Sequence, residues 1–193
     1  KIAKDRAEIV PYNYPHFPVH FGKDWISYYP DRTAVSHWHP DVEFIVMLQG
    51  KLLYSVDGKD YLLEEGHGIF VNANRLHYGH SFKGSDCQFL CFLFHSSLLY
   101  TAENRKELYI DAVCENTALP CLLLSPANHW QAEIIFRLKQ IYGIYQEEAP
   151  GFELSVLSHF YSIWLSLLRN VLNRTDKTES AADKRLPTLH AMI

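Results

Sequence analysis

The sequence predicts a mainly β chain that closes into a barrel and ends in a pair of helices, and three observations carry that prediction. Between residues 37 and 94, short apolar runs alternate with Gly, Asp and Asn turns at the rhythm of antiparallel strands. The run Glu43-Phe44-Ile45-Val46-Met47-Leu48 is too apolar on both faces for a sheet with one wet side, so it reads as a strand covered on both sides. Beyond Asn128 the apolar spacing changes from two to three and four, the period of an amphipathic helix.

Taken in order, residues 1–23 open with charges and continue as Pro11-Tyr12-Asn13-Tyr14-Pro15-His16-Phe17-Pro18, whose prolines forbid a helix and favour an extended arm. The aromatic residues of the arm either close the barrel mouth as a lid (Tyr12, Tyr14, Phe17) or patch its outside as an edge strand. A strand over Trp25–Tyr29 leads into the histidine segment. Leu52–Val56 and Lys59–Leu63 flank Asp57-Gly58, a pair suited to the positive φ angles of a tight primed turn, and so form a hairpin. Gly66-His67-Gly68 turns into a short strand, Ile69–Val71, and the polar loop 72–76 delivers His77. Strand 87–94, a helix over Thr101–Asp111 capped by its threonine, and a short strand at Pro120–Leu124 follow. A helix from Asn128 ends near Pro150-Gly151, and a second presents Val156, Leu157, Phe160, Ile163, Trp164, Leu167, Leu168 and Val171, a stripe wider than packing on one barrel face requires. Residues 174–184 are polar and aperiodic and read as a linker, after which an apolar spacing resumes.

Composition excludes several functions. With 193 residues, 48% of them hydrophobic, the chain can bury a core. Its formal charge of −4, from 18 basic and 22 acidic residues without a basic cluster, argues against a nucleic-acid surface within it. Four cysteines without a CxxC pair, and neither a signal peptide nor an apolar stretch long enough to span a bilayer, predict reduced thiols, a cytoplasmic location and no membrane partner.

The candidate site follows from parity. In an extended chain His37, His39 and Glu43 share one face, and His77 returns to them one hairpin later. Ile45 and Met47 share that inward face, whereas Phe44, Val46 and Leu48 face a layer that the helices can cover. Three imidazoles and a carboxylate form a donor set suited to a divalent transition metal, with Fe, Mn, Ni, Zn and Cu all compatible. The same groups also suit a metal-free ligand pocket or a structural hydrogen-bond network; whichever holds, four buried polar side chains demand partners.

The spacings carry a resemblance. His37-x-His39-x3-Glu43-x6-Gly50 resembles the first cupin motif and Gly66-x5-Asn72-x-Asn74-x2-His77 the second, with asparagines where proline and glycine are usual. The runs Ser36–Glu43 and Glu65–His77 are similar to the sensor domain of AraC-family transcription regulators, with Asp31 and Ser81 departing from its pattern at the barrel rim. This resemblance implies a cupin double-stranded β-helix barrel with its arm over residues 1–125 and a helical dimerisation element over 126–173. It implies a linker and the start of a helix-turn-helix domain over 174–193, the rest of that DNA-binding half lying outside the chain. The expected function is a sensor, not an enzyme, for a small metabolite, plausibly a sugar. Its pocket comprises His37, His39, Glu43, Ile45, Met47, His77, Tyr12, Tyr14 and Phe17, with one divalent transition metal ion as the only cofactor the donor set suggests. The expected partners are a second copy, through Leu157, Phe160, Trp164, Leu167, Leu168 and Val171, and DNA through the missing domain. The rival reading is a metal-dependent cupin enzyme, an oxygenase or isomerase, in which the four ligands are catalytic.

Overall fold

The computed structural model describes residues 2–99 and 106–183, with side chains as far as residue 171. Eight strands, β1 (Val19–Trp25), β2 (Val42–Gln49), β3 (Lys51–Val56), β4 (Lys59–Glu64), β5 (Gly68–Val71), β6 (His77–Ser81), β7 (Gln88–Phe94) and β8 (Cys121–Leu124), form two antiparallel sheets. One sheet has the order β1-β7-β2-β5-β8 and the other β4-β3-β6. A short helical segment ending in α1 (Ala112–Cys114) precedes β8, and α2 (His129–Glu147) and α3 (Phe152–Asp183) follow it. The capping position expected at Thr101 lies outside the described residues.

The alternation of β2 sorts the core into two layers, as its parity predicts. Ile45 and Met47 join Leu52, Tyr54, Leu63 and Ile69 inside the barrel. Phe44 and Val46 face out and pack with Ile134, Ile141, Phe160 and Ile163 of the helices. The Asp57-Gly58 turn has positive φ at both residues, as its composition requires. Gly68 meets a different constraint: a Cβ there would lie 2.7 Å from the Ile45 carbonyl across the β2–β5 pairing, so only glycine lets these strands approach.

Three expectations are corrected. The strand placed at Trp25–Tyr29 is the end of an edge strand, β1, followed by a single 3-10 turn over Ile26–Tyr28. The second half of the arm therefore patches the outer edge of the sheet by pairing with β7. Residues 174–183, read as linker, continue α3, because nothing between Asn173 and Asp183 is a glycine or proline and helix formers such as Lys, Glu and Ala recur. The six residues expected at a dimer contact also have another role. Phe160, Trp164 and Leu167 are buried in this chain's own core, and Leu157, Leu168 and Val171 pack against it. Phe160 stacks on Phe94 of β7 with ring centroids 4.1 Å apart, so the strongest apolar face of α3 is spent on its own barrel.

Truncating Phe160, which is fully buried, should remove that stack and open a cavity under α3. Phe160→Ala is expected to lower the unfolding free energy by about 3–5 kcal/mol, read as the shift in urea midpoint at an unchanged slope.

Candidate metal centre and cavity

His37, His39, Glu43 and His77 converge, their ligand atoms all within 4.8 Å of one another. The chain does not achieve this by simple strand alternation, because it bends at Pro40 and Asp41 before β2 begins. Instead the His37 segment pairs with the start of β6 through two backbone bonds, His37 N–H to the His77 carbonyl at 3.1 Å and the reverse at 2.8 Å. The bend at 40–41 then swings Glu43 underneath. Imidazole centroids lie 4.5 Å apart for His37 and His77 and 4.8 Å for His39 and His77.

The loop carrying His77 is fixed by the two asparagines. Asn72 is buried and donates to the carbonyls of Val113 at 2.7 Å and Leu119 at 3.0 Å, tying the loop to the segment before β8. Asn74 has φ of 60°, a conformation asparagine tolerates, and its N–H donates to the His39 carbonyl at 2.8 Å. It takes the backbone role for which glycine is the usual choice at that position of the motif.

The hydrogen bonds of the imidazoles determine their tautomers. Nδ1 of His37 faces the Val35 carbonyl at 2.7 Å, Nδ1 of His39 the Asp41 carbonyl at 3.1 Å, and Nδ1 of His77 the Arg75 carbonyl at 2.7 Å. A carbonyl only accepts, so each Nδ1 carries a hydrogen, and each neutral ring turns an Nε2 lone pair toward the cluster. The Glu43 Oε2 lies 3.3 Å from Nε2 of both His39 and His77, and its Oε1 accepts from the Tyr54 hydroxyl. Nε2 of His77 is buried and has no hydrogen-bond partner. Acceptors therefore face acceptors at one buried point, and a positive charge is required between them. A proton on one ring satisfies one pair, whereas a single divalent cation satisfies all four groups at once. The donor set and the orphaned His77 nitrogen thus fit a metal.

Titration reflects the same conflict. Burial opposes the charged form of Glu43, but the neighbouring His77 and His39 outweigh it and hold the carboxyl well below its usual range. Burial also opposes the charged form of His39, yet its hydrogen bond and attraction to Glu43 raise it above 6.5. Burial, and then the proximity of His77, lower His37 below that value. Cys91, nearby on β7, is held well above its ordinary range by burial and by Glu43, and so is a neutral thiol and not a thiolate nucleophile.

A cavity of about 260 Å³ opens beside the cluster. His37, Glu43 and Ile45 line it, together with Tyr54, Cys91, Leu93 and the inward row His20, Asp24 and Tyr29. His39, His77 and Met47 stand behind that wall, buried. None of the three residues expected as a lid, Tyr12, Tyr14 and Phe17, lines the cavity. Tyr14 and Phe17 pack on Phe152 of α3, outside the barrel, with the Tyr14 hydroxyl donating to Glu148 at 2.6 Å. Tyr12 donates to Asp41 at 2.7 Å, behind His39. The prolines after Tyr12 turn the chain outward, and the residues that reach the cavity are the earlier Ile2, Glu8 and Pro11. Glu8 gave no sequence signal, lying in a charged stretch without periodicity; its placement depends on the bridge between Ala7 and Trp38.

Residues 25–93 match the family model described as a cupin domain. An uncharacterized HTH-type transcriptional regulator, YdeC, of Bacillus subtilis (strain 168) is 24% identical over 169 residues, 88% of this chain and 58% of that protein. The chain thus spans a little over half of that relative's length. Among solved structures, a cupin 2 conserved barrel domain protein from Salinispora arenicola CNS-205 aligns at TM-score 0.38 and 13% identity, over 46% of this chain and 73% of that one. A salicylate 1,2-dioxygenase from Pseudaminobacter salicylatoxidans aligns at TM-score 0.35 and 17% identity, over 39% and 21% respectively.

The opposed shifts of the two histidines give the metal-free chain a defined pH response. The stabilising contribution of His39, whose pKa is raised, is complete below 6.5 and is lost as pH rises through its folded value. That of His37, whose pKa is lowered, is complete above 6.5 and is lost as pH falls. The urea midpoint of metal-free protein should therefore be highest near pH 6.5 and decline on both sides, while the gain from added Zn2+ grows with pH as the proton on His39 ceases to compete. A metal gain that fell with rising pH would contradict this assignment. Residues 25–93 are thus similar in sequence to the cupin domain, and the fold is a two-sheet β-barrel followed by a helical pair.

Proposed function

We propose that this chain is the effector-sensing and dimerising portion of a DNA-binding transcription regulator, arranged as in the AraC family. The observation that carries the reading is the cavity, walled by the histidine and glutamate cluster on one side and by residues 2–11 of the arm on another. The likeness to an HTH-type regulator over most of this chain supports it. DNA contact is assigned to a part of the protein outside these residues.

A small molecule entering the cavity meets Glu8, Asp24 and Glu43, and among the described residues no Lys or Arg lines the wall. Away from the cluster the wall therefore favours a neutral or cationic effector with hydroxyl or amine groups, and an anionic oxygen would find a counter-charge only at a divalent ion held by the cluster. A divalent ion held by His37, His39, Glu43 and His77 would act as a Lewis acid toward an oxygen of the effector. The chain's own residues do the rest: Tyr54 orients Glu43, the three carbonyls orient the imidazoles, and Asp24 with Tyr29 offers a second polar contact. Binding alters DNA affinity only if the effector prefers one arrangement of arm and dimer over the other.

For dimerisation the available surface is the outer face of α3. Leu154, Tyr161 and Leu165 are exposed there at spacings of seven and four, a row one helix can offer to its copy. Leu154→Glu combined with Leu165→Glu should convert a sedimenting dimer to a monomer without lowering the melting temperature, whereas a wild-type monomer at high concentration would remove dimerisation from the proposal. The sensor reading is tested in the full-length protein by measuring operator affinity with and without each of a panel of neutral sugars and small amines. A shift is expected, and identical affinity would contradict it.

The complete four-ligand set favours a second reading, a metal-dependent oxygenase or isomerase. Turnover of a substrate by the metal-loaded chain alone would establish that reading.

A further inference from the structure

Glu8 lies outside the four residues whose ligand atoms converge, but it touches one of them from the arm. Its Oε2 lies 3.3 Å from Nε2 of His37, with the two side chains 21% and 14% exposed. Because Nδ1 of His37 donates to the Val35 carbonyl, that Nε2 presents a lone pair, so a carboxylate oxygen and an imidazole nitrogen oppose each other as acceptors. The contact is anchored by backbone: Glu8 N–H donates to the Trp38 carbonyl at 2.8 Å, and Trp38 N–H donates to the Arg6 carbonyl at 3.0 Å. The indole N–H of Trp38 donates to the Asp5 carbonyl at 3.1 Å. Residues 5–8 are thereby clamped along the segment that carries His37 and His39. Glu8, His37 and Glu43 line the cavity, while His39 and His77 lie behind it, so Glu8 stands on the cavity side of the cluster. The unpartnered, buried Nε2 of His77 points independently to a cation at this position.

We propose that Glu8 is an additional, arm-borne ligand of the divalent ion that His37, His39, Glu43 and His77 are arranged to hold, so that metal occupancy and closure of residues 2–11 over the cavity are coupled. This rests on the reading of the cluster as a metal site. The coupling is reciprocal: whatever factor Glu8 adds to metal affinity, metal adds to arm closure. An effector that approaches the ion from the cavity competes with Glu8 and so releases the arm.

The test is titration of the metal-free chain with Co2+, following the visible d–d bands, alongside limited tryptic cleavage after Arg6, which is exposed on the arm. Wild-type protein should bind Co2+, and cleavage should slow when the ion is added. Glu8→Gln should bind at least about tenfold more weakly, with altered band intensity, and should lose the protection by a similar factor. Glu65→Gln, at an exposed turn, should behave as wild type. Equal Co2+ affinity and equal protection in wild type and Glu8→Gln would overturn the assignment of Glu8 while leaving the four-residue site intact. Failure of wild-type protein to bind Co2+ at all would instead overturn the metal site itself, and the proposal with it.

Discussion

Three backbone carbonyls, those of Val35, Asp41 and Arg75, govern the chemistry of this barrel. Each takes the Nδ1 hydrogen of an imidazole two residues away and leaves Nε2 as an acceptor beside a buried carboxylate. In a low-dielectric interior such a set is costly unless a positive charge completes it. Around that carboxylate burial opposes the charged form of both rings, but the hydrogen bond to Glu43 raises His39 while burial and His77 lower His37, and one His77 nitrogen is left over. The need for a positive charge also makes the cluster a point at which small changes in occupancy alter the stability of its surroundings.

Those surroundings lead to both ends of the chain. On one side His37 touches Glu8, and the strand segment beside it holds residues 5–8 by backbone bonds. On the other, Glu43 is the second residue of β2, whose outward residues Phe44 and Val46 pack directly under α2 and α3. Tyr14, between the arm and the helices, contacts Phe152 and Glu148. The continuous stretch 37–46 thus joins the cluster, the arm and the helical pair.

The ligand set and the two faces of β2 were legible in the sequence because both depend on spacing, and spacing survives a local bend such as that at Pro40 and Asp41. Contacts set by long-range pairing were less legible. Glu8 belongs to the site only because Ala7 bridges Trp38, thirty-one positions away in a stretch with no period of its own. The helices misled in a physical way. From sequence the strongest apolar face of α3 reads as a partner surface, but a barrel wall bearing Phe94 claims that face first, leaving the weaker row Leu154, Tyr161 and Leu165 outside. The polarity of residues 174–183 reads as a linker, yet a helix needs no apolar stripe to continue where no breaker stops it, and α3 runs through them.

The measurement that tests this account most directly is long-range proton–nitrogen NMR of the histidine side chains in the zinc-loaded chain. The account predicts that His37, His39 and His77 each carry hydrogen on Nδ1 alone, with all three Nε2 nitrogens shifted by the metal. Nε2–H tautomers, or imidazolium rings that persist with zinc present, would contradict it.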